Sequence, residues 1–418
     1  MQSPVPILHA LFAAVAASTL VLVGATPVFA ASSTVRVSTP AALKSALAEA
    51  QAGDTIVIAD GNYNGKFVAA ASGTSSSRIT LTGSSKVTLT TGSTGSGYGL
   101  HVTGDNWTIS GFTVAKAAKG IVLDDADNTV LERLTVGTTG QEAIHVRTSS
   151  AGAVIRDNVV HDTGLTTPEY GEGIYVGSSK TNWVSIMGSF SSPDRSDNAR
   201  IENNTIRNTT AEGIDIKEGT TGGLVTGNSF SNVGYSGENF ADSWVDLKGN
   251  RYTVSGNSGS GTLLDAFQVH TVLAGWGNHN SFSGNTVSGG VPGLEVSVQR
   301  GALGTKVACG PSGAAKGLTN VPCSDSAAAP SPAPAVPATE SIAADGVTFT
   351  SGSHGSVLAT VNAPAGVTVK IKVDGKYIGQ DSSAPYTFTL KASKGSHEVD
   401  VRWTAGGATT RVETVFTR

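Results

Sequence analysis

"AEGIDIKEG", residues 211–219, sets two isoleucines at alternate positions among Glu212, Asp215 and Lys217. Alternation with a period of two is the pattern of a strand with one buried face. The pattern recurs as GLHVT (99–103), GIVLD (120–124), AIHVR (143–147), GIYVG (173–177), WVDLK (244–248), AFQVH (266–270) and GLEVS (293–297). The second and fourth residues of each copy are apolar, the first is Gly or Ala except at Trp244, and the third and fifth vary. A second series runs in phase: AVIRDNVV, ARIENNTI, GLVTGNSF, YTVSGNSG and NSFSGNTV. It sets Asn158, Asn204, Asn228, Asn257 and Asn285 at one equivalent position. Short strands repeated with loops of variable length predict a solenoid, in which each coil buries its inward residues on the next. Asparagines stacked at one bend can bond amide to amide along its axis.

The expected fold is all-β, a right-handed parallel β-helix. STPAALKSALAEAQAGD (38–54) precedes the repeats, with Thr39 as N-cap, Pro40 at the first helical position and Gly53 as the stop. This helix is expected to cap one end of the solenoid. Cys309 and Cys323 bracket a Gly/Pro-containing loop, and in a secreted chain such a pair reads as a disulfide, here closing the other end.

Residues 8–30 form the only long apolar run and end in Val28-Phe29-Ala30, which fits a small-residue cleavage site, although no Lys or Arg precedes the run. Residues 1–30 are therefore read as a signal peptide of a secreted protein, with no membrane association after cleavage. The β-helix is expected over 31–326 and an Ala/Pro-rich linker over 327–340. The segment 341–418 alternates as VTVKIKVDG, PYTFTL and SHEVDVRW. It predicts a small β-sandwich and resembles bacterial Ig-like modules. Of 418 residues only 14% are charged, and the net charge is −4, which excludes the basic signature of a nucleic-acid binder. A monomer is expected, because capped solenoids leave no open end.

Adjacent coils lie about 4.8 Å apart, so the aligned copies map one outer face. The third-position column reads His101, Val122, His145, Tyr175, Asp215, Asp246, Gln268, Glu295, and the fifth includes Asp124, Arg147, Lys217, Lys248 and His270. Glu142, Glu172, Glu212, Ser243 and Asp265 immediately precede strands. Acid stacks on acid and base on base, which is repulsive across a ladder by up to about 1 kcal/mol per pair. A solvated ion-pair network is one explanation. A site that needs such charges is the other. Removing the proton beside a sugar carboxylate requires neutralising that carboxylate, a base at the carbon and a proton for the leaving oxygen. A hard site of Glu172, Glu212, Asp215 and Asp246 suits Ca²⁺. Lys217, beside Lys248, is expected to have a lowered pKa and to act as base. Lys248, His270 or Arg147 would bind the uronate or protonate the leaving group. Tyr175, His145 and Gln268 lie on the same face, and Trp183, Trp244 and Trp276 are candidate sugar-stacking walls.

Two stretches carry a resemblance. GDTIVIADGNYNG (53–65), and AEGIDIKEG followed by NSFSN and VDLKGNRYTVSGN, are similar to secreted β-helix lyases of the chondroitinase B and alginate lyase family. The resemblance implies a calcium ligand at Glu212, a base at Lys217 and a cationic residue at Lys248, where that family carries Arg. Thr210 stands where the family has a second Glu. The expected function is thus a secreted lyase cleaving an acidic, uronate-containing polysaccharide by β-elimination. A glycoside hydrolase using Asp215 with Asp246 or Glu212, and a non-catalytic carbohydrate-binding solenoid, stay open as alternatives.

Overall fold

The computed structural model describes residues 32–325, 341–342, 346–351, 357–374, 376–390, 396–405 and 408–417. The predicted signal peptide and linker lie outside these residues. Between Thr34 and Val307 the chain winds through three parallel sheets, of eleven, nine and nine strands. Each sheet takes one short strand from each coil in order. Inward residues such as Leu100, Ile121, Ile144, Ile174, Ile214, Val245 and Phe267 form one continuous apolar column, buried at 0% exposure. This column is the period-two pattern of the sequence turned inward.

The sheet that carries the charged face comprises Val68–Ala69, Tyr98–Val102, Lys119–Asp124, Ile144–Arg147, Ile174–Val176, Ile214–Ile216, Val245–Leu247, Phe267–Val269 and Val296–Val298. Its register aligns His101, Val122, His145, Tyr175, Asp215, Asp246 and Gln268. The last coil differs from the sequence alignment, because Gln268 pairs with Ser297 and not with Glu295. A slip of two residues keeps the inward and outward alternation intact, so periodicity alone cannot detect it.

The asparagine ladder is continuous. The side-chain amide of each of Asn158, Asn204, Asn228 and Asn257 donates to the Oδ1 of the next asparagine at 2.9–3.0 Å, and to a main-chain carbonyl of an adjoining coil. Helix α1, Pro40–Glu49, is N-capped by Thr39 and packs Leu43 and Leu47 into the core. Cys309 and Cys323 form a disulfide.

From Val347 to Thr417 the strands become antiparallel and form an Ig-like module of two small sheets around Val369, Ile371, Tyr386, Val399, Val401 and Trp403. The module rests on the solenoid. Lys370 and Lys372 pair with Asp127 and Asp125 at 3.1 Å each, and Arg402 pairs with Asp105.

Candidate active site

A cavity of about 960 Å³ opens over the C-terminal half of the charged sheet, from its fifth strand to its last. Tyr175, Asp215, Asp246, Gln268 and Ser297 form its floor, one from each successive coil. Segments entering the strands supply Tyr170, Glu172, Glu212, Phe240, Asp242 and Asp265 along one side. Segments leaving the strands supply Lys180, Lys217, Lys248, His270 and Arg300 along the other. The groove is therefore acidic on its entry side and mainly basic on its exit side.

The floor is a chain of ion pairs. Lys217 Nζ lies 2.6 Å from Asp215 Oδ2, and Lys248 Nζ donates to Asp215 Oδ1 at 3.0 Å and to Asp246 Oδ2 at 2.5 Å. His270 Nδ1 is 2.8 Å from the remaining oxygen of Asp246. Burial pulls the lysine pKa values down, but Asp215 and Asp246 outweigh it and hold Lys217 and Lys248 above the usual lysine range. This reverses the expectation of a lowered pKa at Lys217. The neighbouring lysine was visible in the sequence, but the carboxylates packed between and beside the two ammonium groups are the stronger influence. Burial opposes the charge of Asp246, yet Lys248 and His270 hold its carboxyl well below the usual range. His270 is raised in turn: burial lowers it, and Asp246 more than restores it.

Tyr175 connects this chain to the preceding coil. The Lys217 ammonium sits 5.0 Å from the centre of its ring, and the His145 ring meets it edge-on at 4.4 Å. Burial and the charges of Asp215 and Glu172 push the phenol well above its usual pKa, so it keeps its proton. His145 lies behind Tyr175, buried at 5% exposure, with Nε2 3.1 Å from Gly177 O. Glu142 is bound there by Lys119 at 2.6 Å.

Glu172 and Glu212 are different. Burial first, then Glu142 and Asp215, push Glu172 up to about 8. Burial, Asp215 and Asp246 raise Glu212 well above the carboxylate range. Glu172 Oε2 is buried without a hydrogen-bond partner. Glu172, Glu212 and Asp215 each offer an oxygen within 4.8 Å of the others. An orphaned buried oxygen among three convergent carboxylates fits a hard divalent cation. Asp246 does not join this set: among the described residues only Glu172, Glu212 and Asp215 converge within that distance.

Other expected site residues lie elsewhere. Arg147 is one coil beyond Tyr175 and outside the cavity, bound to Asp124 through Nε and Nη2 at 2.6 and 3.0 Å and to the Tyr98 hydroxyl at 3.2 Å. Trp244 is no sugar wall. At 0% exposure it stacks on Phe230 and meets Phe267 edge-on, filling the core at the one copy that lacks Gly or Ala. Trp183 is buried, its ring N–H donating to Ser178 O at 2.9 Å, and Trp276 carries Arg195 at 5.9 Å over its ring. Neither lines the cavity. Lys180, Asp242 and Arg300 do line it, and sequence reasoning missed them. They sit on loops outside the repeat, where the only signal was the length of those loops.

The solenoid matches the family description "right handed beta helix region" over residues 61–189, and residues 341–401 match "bacterial Ig domain". An alginate lyase from Paenibacillus sp. strain FPU-7 is 38% identical, over 69% of this chain and 97% of that one, with a TM-score of 0.64. The chain belongs to that enzyme's family, the β-helix polysaccharide lyases. More distant matches to this lyase chain include pectate lyase Pel9A, at 11% identity over 65% of this chain and 76% of that one, with a TM-score of 0.44. DFA-IIIase from Arthrobacter chlorophenolicus A6 matches at 13% identity over 65% of this chain and 64% of that one, with a TM-score of 0.41. No curated protein matches.

Proposed function

We propose that this polysaccharide lyase is secreted and cleaves a polyuronate by β-elimination, with alginate the first substrate to test. Lys217 removes the proton beside the sugar carboxylate, and the Tyr175 phenol returns one to the leaving oxygen. The observation that carries this reading is the pairing of these two groups on the cavity floor, with the ammonium 5.0 Å from the ring centre. The phenol stays protonated, as a donor must. In the free site Asp215 holds Lys217 in its charged form, so before Lys217 acts as base its ammonium must release one proton to solvent as substrate displaces it from Asp215. Lys248 shares Asp215 at 3.0 Å and is placed to take over that carboxylate when substrate displaces Lys217. Lys248 and His270 lie on the basic side of the groove, where they would face the uronate carboxylate.

Glu172, Glu212 and Asp215 would hold Ca²⁺. When bound, the ion supplies positive charge for the two glutamates and for the substrate carboxylate. Asp215 is a poor candidate for a hydrolase nucleophile, because each of its oxygens already holds a lysine ammonium.

The test is ultraviolet absorbance of unsaturated uronides. The protein is given alginate, pectate, chondroitin sulfate or glucuronan in turn, with calcium or with chelator. A rise on alginate that is lost in Lys217→Ala is expected. New reducing ends without absorbance would overturn elimination, and a chelator-insensitive rise would remove the calcium.

A further inference from the structure

The segment 178–198 leaves the strand Ile174–Val176, and its first residues, Ser179–Asn182, form part of the groove wall. Its far end is held by Asp194, at 0% exposure. Asp194 accepts the backbone N–H of Thr148 at 3.0 Å and of Ser149 at 2.8 Å. It also accepts the Ser178 hydroxyl at 2.6 Å, which ties the end of the segment back to its beginning, beside the wall.

The Ig-like module grips this same knot. Lys370 Nζ donates to Ser149 O, and Gln380 accepts from Ser149 Oγ at 3.2 Å while its amide donates to Pro193 O at 3.3 Å. Ser149 also receives the Arg195 backbone N–H on Oγ at 3.1 Å. Thr148 and Ser149 have φ of 55° and 60°, a left-handed pair that hydroxyl side chains do not favour and that needs outside support. A turn of this kind, held from one side by Asp194 and from the other by the module, is a shared support and not an incidental touch.

We propose that the Ig-like module is a buttress for the groove wall, holding segment 178–198 in place through Ser149 and Pro193. A sugar-binding module on a tether would have no need to contact this segment. The module also carries no exposed cluster of aromatic rings among the described residues: Tyr386, Phe388 and Trp403 are buried. The inference does not depend on the lyase chemistry, and its test uses no substrate.

The experiment is amide hydrogen exchange on the full chain carrying Lys370→Glu and Lys372→Glu. These changes set carboxylates against Asp127 and Asp125, which their lysines now neutralise. Exchange across 178–198 is expected to rise about fivefold or more, the loss of at least one net hydrogen bond. Exchange at Thr253–Ser255 and Ser281–Ser283, strands on later coils, is expected to stay the same. Gln380→Ala, which removes the links to Pro193 and to the Ser149 hydroxyl but leaves Lys370 and Lys372 in place, should give a smaller rise confined to the same segment. Unchanged exchange across 178–198 in the charge-reversed protein overturns the proposal, as does a uniform rise across the whole solenoid.

Discussion

The bend carrying Asn158, Asn204, Asn228 and Asn257 and the face carrying Glu172, Glu212, Asp215 and Asp246 are both ladders of like residues on successive coils. The amide ladder completes itself. Each side chain offers a donor where the next offers an acceptor, so stacking identical residues satisfies all of them. Carboxylates have no donor to give and must find cations. Asp215 and Asp246 find Lys217, Lys248 and His270. Glu172 is left with a buried oxygen and no partner. Between these extremes stands Asp124, on the same sheet, fully engaged by His101, Arg147 and Thr148. Chemistry is therefore expected where the charges remain uncompensated, and structure where they are matched.

The largest expected effect separates the two ladders outright. Lys217→Ala should lower turnover per folded molecule by about 10²- to 10⁴-fold, and it should also lower the melting temperature, because one oxygen of buried Asp215 loses its cation and only Lys248 remains. Full activity in this variant would move the base elsewhere. Trp244→Ala should cost about 3–5 kcal/mol in urea unfolding. The cost comes from the cavity left beside Phe230 and Phe267, and the residual activity per folded molecule should be normal. A loss of sugar affinity without a loss of stability would return Trp244 to the groove.

Asp124→Asn tests the compensated charge. Burial opposes the ionised form of Asp124, but His101 and Arg147 outweigh it and hold the pKa well below the usual value. A depressed carboxyl stabilises the fold above its unfolded pKa and loses that stabilisation as pH falls through the folded value. The variant should therefore be about 3 kcal/mol weaker at neutral pH, with the difference shrinking below about pH 4. A difference that holds constant into acid would assign the loss to packing. Asn228→Ala should cost about 1–3 kcal/mol, since it removes one rung and leaves the Asn204 amide and backbone N–H of the coil before it short of an acceptor.

Most of the solenoid could be read from sequence because one physical rule, alternate burial, repeats on every coil. The asparagine ladder followed from the same phase. The rule is blind to translation by two residues, which is why Glu295 was set beside Gln268 where the fold sets Ser297. It is also blind to which residues at the start of a strand turn into the core. Trp244 looks like an exposed aromatic until the neighbouring Phe230 and Phe267 are seen to enclose it. At the site, sequence brought Tyr175, Asp215, Asp246, Lys217 and Lys248 to one face. It could not give the sign of the Lys217 shift, which depends on distances to carboxylates on two coils. Lys180 and Arg300 reach the cavity from loops, where no periodicity exists to place them.

The smallest effect has the opposite sign to the rest. Glu212 is buried near Asp215, Asp246 and Glu172, and all three disfavour its negative charge. Glu212→Gln keeps the shape and removes that charge. In chelator the variant should be more stable than the parent by about 1 kcal/mol, seen as a rise of a few degrees in melting temperature. Adding calcium should stabilise the parent and not the variant, because only the parent retains the full donor set. The two melting curves should then approach or cross. Asn228→Ala gives no such crossing, since no ion compensates a missing amide. If calcium shifts neither curve, Glu172 and Glu212 are held by a shared proton, and the unmatched ladder serves substrate directly.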